Sequence, residues 1–388
     1  MSFQTIDHVP LLDIPRGNSA DHQEMMEAIE EIVKSGWFVG GPNVKNLESQ
    51  VCEVTGAKHA IGCASGSDAL LLSLMAVDVG PGAEVIVPSF TFFATGSAAW
   101  RLGAKPVFVD IEPGTFNMCP ESFERALSPR TKAVIPVHLF GQCAEMDTIM
   151  DIAHANNVHV IEDAAQAIGA QYKGQGAGSI GDTGCFSFYP TKNLGGFGDG
   201  GMITTNVDHL AERIRLLANH GMKPRYYHSE IGINSRLDAI QAAVLGIKLK
   251  RISQINEARR ANANRYHRLL NANGLGNLIQ LPKEAEDCYH VWNQYSIRFR
   301  NHDRDEVRQR LTDCGIGTEV YYPIPLHQQK CFLSLFTDPD AMHETNMASQ
   351  EVLCLPIFPE ITAEEQNAVV DRLVACLSEE SGSYRMAS

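Results

Sequence analysis

The hydrophobic pattern between about residues 55 and 206 alternates short apolar runs with segments of helical period. The runs at 59–65, 84–89, 106–111, 133–141 and 158–165 predict strands, and 68–77, 91–103 and 147–157 predict helices. In the first helix Leu70, Leu71, Leu74 and Met75 share one face. This alternation of strands and helices predicts an α/β fold with a mostly parallel central sheet flanked by helices. The continuous apolar runs indicate strands buried on both faces.

The pattern changes in the C-terminal third of the chain. Segment 236–273 is long and periodic and predicts one or two long helices. Beyond it, 290–299 and 318–324 have the pattern of strands, and 304–315 and 362–379 that of helices. We therefore predict a large domain at 1–250 and a smaller C-terminal α+β domain at 251–388.

Composition narrows the classes of function. The formal net charge is −14, which disfavours partners such as nucleic acid or an anionic membrane surface. The N-terminus lacks the pattern of a signal peptide, and no apolar run approaches the ~18 residues of a membrane span. Ten cysteines and fourteen histidines occur without metal-ligand spacing. We expect free thiols, a cytoplasmic protein and no metal site.

Three polar features follow predicted strands, and ligands of parallel sheets bind at such strand ends. The first is the turn Ser65-Gly66-Ser67, which opens a helix and so offers N–H groups to a phosphate; ordinary capping by Ser67 is the alternative. The second is the acidic pair Glu162-Asp163. An NTPase acid is excluded because G-x-x-x-x-G-K-[ST] is absent, which leaves a ligand-binding carboxylate or a helix-capping acid.

The third feature is Lys192, which lies between apolar strands at 185–189 and 202–205 and precedes five glycines within 195–201. The alternative is an ordinary hairpin turn in which the side chain of Lys192 points into solvent. We expect the glycines to let bulky ligands approach the lysine. Segments 176–181 and 196–201 both satisfy G-x-G-x-x-G, but each precedes a strand, so neither is a dinucleotide fingerprint.

Together the three features match the requirements of pyridoxal phosphate. Its phosphate needs backbone donors, its pyridine nitrogen needs an anion, and its aldehyde needs an amine of lowered pKa. The turn at Ser65 would supply the donors for the phosphate. Asp163 would supply the anion for the ring nitrogen, and Lys192 the amine for the aldehyde.

The motifs also resemble those of the DegT/DnrJ/EryC1/StrS family of sugar aminotransferases, which are pyridoxal-phosphate enzymes of fold type I. The resemblance spans nearly the whole chain and rests on SGWFVGGP, SGSDAL, GAEVIVPSFTFFAT, PVFVDIEPGTFN, IPVHLFGQ, VIEDAAQAIGA, GDTGCFSFYPTKNLGGFGDGG, GINSRLDAIQAAVLGIKL and YYPIPLH. It implies Lys192 as the Schiff-base lysine and Asp163 as the partner of the pyridine nitrogen. Both would be catalytic.

The same resemblance implies further cofactor contacts. They are Gln166 beside the ring hydroxyl, Ser187 on the phosphate with Ser65, Gly66 and Ser67, Phe92 stacked on the ring, and Asn234 reaching the phosphate of the neighbouring subunit. Core packing is the alternative for Phe92. A local ion pair with Asp238 is the alternative for Arg236, which is not assigned a catalytic role. Ile168 departs from the family pattern, where histidine is common.

The resemblance implies transfer of an amino group from L-glutamate to a nucleotide-linked keto sugar, in a homodimer with shared active sites. The segment GIGTEVYYPIPLH resembles that of 3-keto sugar aminotransferases more than that of 4-keto ones, which implies a 3-keto substrate. A cyclitol or aminoshikimate-type enzyme of the same family and a non-catalytic regulator on this fold stay open as alternatives. The dehydratase branch resembles this chain with histidine at the lysine position, so Lys192 argues against it.

Overall fold

The structure, a computed structural model, describes residues 6–335 and 342–383. Its strands are β1 (His59–Cys63), β2 (Glu84–Pro88), β3 (Lys105–Val109), β4 (Thr131–Val134), β5 (His159–Asp163), β6 (Gln171–Tyr172), β7 (Gln175–Gly176), β8 (Thr183–Ser187), β9 (Gly201–Thr205), β10 (Ile279–Gln280), β11 (Cys288–Tyr289), β12 (Tyr295–Phe299) and β13 (Val352–Leu355). Seven of them form the central sheet in the order β1-β9-β8-β5-β4-β2-β3. Since β9 pairs antiparallel with both β1 and β8 and the remaining pairs are parallel, only β9 runs against the other six. The predicted mostly parallel sheet is confirmed.

Helices cover the sheet and connect its parallel strands. They are α1 (Ile14–Asn18), α2 (His22–Ser35), α3 (Pro42–Thr55), α4 (Gly66–Ala76), α5 (Phe93–Arg101), α6 (Pro120–Ala126), α7 (Met146–Ala155), α8 (Asp208–Leu217), α9 (Ala239–Leu249), α10 (Ile252–Ala272), α11 (Arg304–Asp313), α12 (His343–Glu351) and α13 (Ala363–Ser383). Judged by length and hydropathy, none of the helices in the described part of the chain could cross a lipid bilayer.

The prediction of a single apolar face for α4 was too narrow. Leu72 and Ser73 are as fully buried as Leu70 and Leu74, whereas Met75 is only half-buried. The helix packs against α5, α8 and the strands β8 and β9, so it is enclosed on several sides. A helix enclosed in this way needs apolar or small residues all round rather than a stripe.

The C-terminal part contains a second, antiparallel sheet of β10, β12 and β13. Segment 236–273 forms two helices, α9 and α10, with a short break between Leu249 and Ile252. The predicted strand at 318–324 was wrong: only an isolated bridge joins Glu319 to Cys354 there. The domain boundary near residue 250 stays a prediction.

The topology brings distant segments to one edge of the sheet. Strands β1, β2, β5 and β8 run in the same direction, so the turns after Cys63, Pro88, Asp163 and Ser187 lie at the same end. This is the edge at which ligands of open α/β sheets bind. All three polar features found in the sequence follow one of these strands.

Candidate active site

The carboxylate of Asp163 lies buried at the end of β5, with 5% of the residue exposed. Its Oδ2 accepts a hydrogen bond from Thr95 Oγ1 at 2.8 Å, and its Oδ1 accepts one from the backbone N–H of Ala165 at 3.2 Å. Burial raises the pKa of Asp163, while the two hydrogen bonds and the charge of Lys192 oppose that rise. Thr95 thus helps to hold a buried acid in its ionised form.

The neighbouring acid, Glu162, has a different role because side chains alternate along a strand. It is fully buried and accepts hydrogen bonds from the N–H groups of Gly178 (2.7 Å), Ile180 (2.8 Å) and Gly181 (2.7 Å), while His138 Nε2 lies 2.8 Å from it. The glycine-rich segment 176–181 therefore wraps an internal carboxylate. Glu162 is a structural residue.

The turn after β1 caps helix α4 through Ser65, whose side chain accepts a hydrogen bond from Asp68 N at 3.1 Å. The alternative that Ser67 is the capping residue was wrong. Space is tight here: a Cβ on Gly66 would lie 2.7 Å from Ser187 Cβ at the end of β8. A glycine at position 66 therefore lets the start of α4 approach β8 closely, and this places Ser67 at the cavity wall.

Lys192 lies in the loop between β8 and β9. Burial lowers its pKa from 10.5 to about 8, against the opposing attraction of Asp163. An amine with such a pKa is substantially uncharged at mildly alkaline pH and can act as a nucleophile.

The chain on either side of Lys192 is held in place. The side chain of Asn193 is buried and donates to Asn256 Oδ1 and Val291 O, both at 2.9 Å, and it accepts from Asn293 Nδ2 at 2.9 Å. These hydrogen bonds connect the loop between β8 and β9, which carries Lys192, to α10 and to the segment before β12. The structural role of Asn193 was not predicted, and nothing in the sequence around Lys192 signals it.

The expectation that the glycines make room for ligands was wrong for two of them. A Cβ on Gly195 would lie 2.3 Å from Pro190 O, and one on Gly201 would lie 2.4 Å from Ser65 O. Both glycines are therefore required by contacts with the protein's own backbone. Gly200 does line the cavity.

A cavity of about 600 Å³ joins these features. The predicted residues that line it are Ser65, Gly66, Ser67, Phe92, Asp163, Gln166, Ser187 and Lys192. Phe92 is 60% exposed and lies at the cavity, so core packing does not account for it. Lys192 lines the cavity and is only partly exposed, which does not fit the solvent-facing alternative. The capping alternative for Asp163 fails because the next element after β5 in the described chain is the strand β6, not a helix.

Two cavity residues, Tyr322 and Thr91, had no place in the sequence interpretation, and Tyr322 contacts the predicted residue Gln166. Gln166 is held on two sides: Phe140 N donates to its Oε1 at 2.6 Å, and its Nε2 donates to Tyr322 OH at 3.4 Å. Tyr322 lies in the irregular segment 318–324, and Thr91 lies in the turn before α5. The aromatic pair in TEVYYPI was a signal that could have found Tyr322.

Asn234 is exposed and does not line the cavity of its own chain. The next residue, Ser235, contacts the segment just before the turn at Ser65, because its Oγ accepts a hydrogen bond from Ala64 N at 3.1 Å. The alternative for Arg236 was wrong: its Nη1 lies 3.5 Å from Asn219 Oδ1, and no ion pair with Asp238 occurs in the described part of the chain. The cross-subunit role of Asn234 stays a prediction.

The sequence profile of the DegT/DnrJ/EryC1/StrS aminotransferase family matches residues 19–374. A protein of Geobacillus stearothermophilus named pleiotropic regulatory protein is 48% identical over 94% of this chain and 98% of its own length. The UDP-N-acetyl-3-dehydro-α-D-glucosamine 3-aminotransferase of Acidithiobacillus ferrooxidans is 43% identical over 92% of this chain and 95% of its own length.

Among solved structures, S. venezuelae DesV in complex with a ketimine intermediate is 38% identical and superposes with a TM-score of 0.90, covering 95% of this chain and 98% of DesV. The agreement thus extends to the small C-terminal part as well as the central sheet. The profile match over residues 19–374 and these identities over nearly the full length lead to one conclusion: the chain belongs to the DegT/DnrJ/EryC1/StrS aminotransferase family.

Proposed function

We propose that this protein is a pyridoxal-phosphate-dependent aminotransferase that transfers an amino group from L-glutamate to a nucleotide-linked keto sugar. The observation that carries the proposal is the pairing, in one cavity, of a buried carboxylate, Asp163, with a partly buried amine of lowered pKa, Lys192. A binding module for neutral ligands has no use for two such groups, because burying each of them costs stability.

The residues present fit the cofactor. The cavity wall carries hydroxyls and the first N–H groups of α4, which favour an anionic phosphate; they come from Ser65, Gly66, Ser67 and, close to Gly66, Ser187. Asp163 at the end of β5 offers a carboxylate to a protonated ring nitrogen, and Lys192 offers an amine to an aldehyde. When bound, pyridoxal phosphate supplies an electron sink that stabilises negative charge on a substrate carbon.

The chain's own groups would then have separate tasks. Lys192, with a pKa near 8, both donates and accepts a proton at neutral pH, so it can move a proton at the substrate carbon as general acid and base. Asp163 would stabilise positive charge at the ring nitrogen. Phe92 offers a flat, exposed face for a ring to stack on, and Gln166 is held in place at the cavity wall by Phe140 N.

The substrate is proposed from the relatives. The 43% identical relative is named as a 3-aminotransferase of a UDP-linked 3-dehydro sugar, which supports a 3-keto rather than a 4-keto substrate. The 48% identical relative is named as a regulatory protein, so a regulatory function is the second candidate. The lowered pKa of Lys192 favours the enzyme, because a non-catalytic protein needs no nucleophilic amine.

We further propose a homodimer with shared active sites in the cytoplasm. Asn234 is exposed, and exposed apolar side chains lie on neighbouring segments: Trp37 is 60% exposed and Ile231 is 93% exposed. The backbone around residue 38 is hydrogen-bonded to Ala239, five residues beyond Asn234. Apolar side chains exposed together in this way are typical of a surface that another subunit covers.

The test begins with purified protein and pyridoxal phosphate. We expect a visible absorption band that depends on Lys192 and that disappears when L-glutamate is added. A panel of 3-keto and 4-keto nucleotide sugars, followed by mass spectrometry of the products, then identifies the acceptor. A protein that forms no such band, or that forms one unchanged by any amino donor and gives no aminated product, would favour the regulatory candidate.

A further inference from the structure

We propose that Thr95 is a positioning residue for the cofactor's ring nitrogen: through its hydrogen bond to Asp163, and backed by Thr91, it keeps the shared proton on the ring. This inference rests on the proposed function.

The three side chains form a hydrogen-bonded series. Thr91 Oγ1 lies 3.2 Å from Thr95 Oγ1, which in turn lies 2.8 Å from Asp163 Oδ2. Each of the three residues is at most 5% exposed. The series begins at the cavity wall, where Thr91 lies, and ends at the carboxylate. Thr95 is in the first turn of α5, so the backbone of that helix fixes its position.

The direction of the series follows from donor chemistry. An ionised carboxylate only accepts hydrogen bonds, so the single hydroxyl proton of Thr95 must point to Asp163. Thr95 can then only accept from Thr91, and the hydroxyl proton of Thr91 points to Thr95. Such a chain of donors polarises along its length and strengthens its last bond.

This arrangement has two effects on Asp163. Its Oδ2 is bound by Thr95 and its Oδ1 by the N–H of Ala165, so the plane of the carboxylate is fixed. The charge-assisted bond from Thr95 also makes the carboxylate a weaker base. When a ring nitrogen and Asp163 compete for one proton, a weaker carboxylate base leaves that proton on the ring.

Other ionisable groups act on Asp163 too, and an experiment must separate them from Thr95. The groups that interact electrostatically with it are Lys192, His138, Tyr322 and Cys185. A Thr95→Val substitution leaves all four in place and removes only the hydroxyl, with nearly the same volume. Thr95→Ser restores the hydroxyl without the methyl group.

The experiment measures where the proton lies. Pyridoxamine phosphate labelled with ¹⁵N in the ring is bound to each protein at pH 7.5, and the ¹⁵N shift reports the protonated fraction of the ring nitrogen. A lost bond to a charged group changes the proton's distribution between ring and carboxyl by about ten- to a hundredfold. We expect wild type and Thr95→Ser to give the pyridinium signal and Thr95→Val to move towards the neutral-pyridine signal.

Two further variants complete the design. Thr91→Val removes only the hydrogen bond from Thr91 to Thr95, so we expect a smaller shift of the ¹⁵N signal in the same direction. This variant replaces Thr95→Val in the test if Thr95→Val does not fold. Thr55→Val is the matched control, because Thr55 is equally buried and donates to Val51 O at 2.8 Å, away from the cavity. It should leave the ¹⁵N signal unchanged.

The outcomes are distinguishable. A signal in Thr95→Val identical to that of wild type, or an equal movement in Thr95→Ser, overturns the role of Thr95 while leaving the aminotransferase proposal intact. Failure of the wild-type protein to bind pyridoxamine phosphate at all overturns both. A movement in Thr95→Val that Thr95→Ser does not show supports the inference.

Discussion

Replacing Lys192 with methionine should stabilise the cofactor-free protein. Methionine has a similar length and no charge, so it fills the same space without the penalty for burying an ammonium group. The fall of the lysine pKa from 10.5 to about 8 corresponds to about 3 kcal/mol, at about 1.4 kcal/mol per pKa unit. The attraction of Asp163 already contributes to that pKa, so the figure is a net cost.

The pH dependence of the free energy of unfolding follows from the number of protons that the folded and unfolded chains bind. Between pH 8 and 10.5 the unfolded chain keeps a proton on Lys192 that the folded chain has lost, so wild-type stability rises with pH in this range. Below pH 8 both states carry the proton and the whole penalty remains. The advantage of Lys192→Met should therefore be about 3 kcal/mol below pH 8 and fall away by pH 10.5.

The assay is urea unfolding of the cofactor-free proteins at several pH values and one fixed chain concentration, since assembly also affects apparent stability. Lys45→Met is the matched control, because Lys45 is exposed on α3, and it should change the free energy of unfolding very little. The reasoning is refuted if Lys192→Met is no more stable than wild type at pH 6.5, or if its advantage does not shrink between pH 8 and 10.5.

Three further predictions concern the site. Asp163→Asn should keep the fold but lower the rate of transamination by about a hundredfold or more, since a neutral amide cannot hold positive charge on the ring; near-wild-type rates would place the ring's partner elsewhere. Gly66→Ala should weaken cofactor binding by about tenfold or more, because the new Cβ would lie 2.7 Å from a serine side chain on β8. Gly80→Ala, with open space around the new Cβ, should bind the cofactor normally. Mixing the inactive variants Lys192→Ala and Asn234→Asp should restore activity, because a heterodimer with shared sites holds one intact site; if heterodimers form without activity, Asn234 acts within its own subunit.

Much of the fold could be predicted from local pattern. Strands at β1, β2, β3 and β5 and the helices between them follow from apolar runs and helical periods that involve only neighbouring residues. The same holds for α9 and α10, although the break between them could not be located. Segment 318–324 misled the prediction because aromatic and β-branched residues favour strands, while the structure uses them in an irregular segment that brings Tyr322 to the cavity.

The sequence by itself determined which chemical groups were available: one lysine between two strands, two acids at a strand end, and a turn of small residues that opens a helix. The family resemblance assigned Asp163 to the site, but local pattern alone gave no physical reason for Asp163 over Glu162, and it did not show that Ser65 rather than Ser67 caps α4. Those outcomes depend on contacts between segments far apart in the chain, such as Thr95 with Asp163, 68 residues away, or Asn193 with Asn293, 100 residues away. Only tertiary structure brings such partners together, and burial then decides the pKa values of Lys192 and Asp163, because a charge loses its hydration only when other segments enclose it.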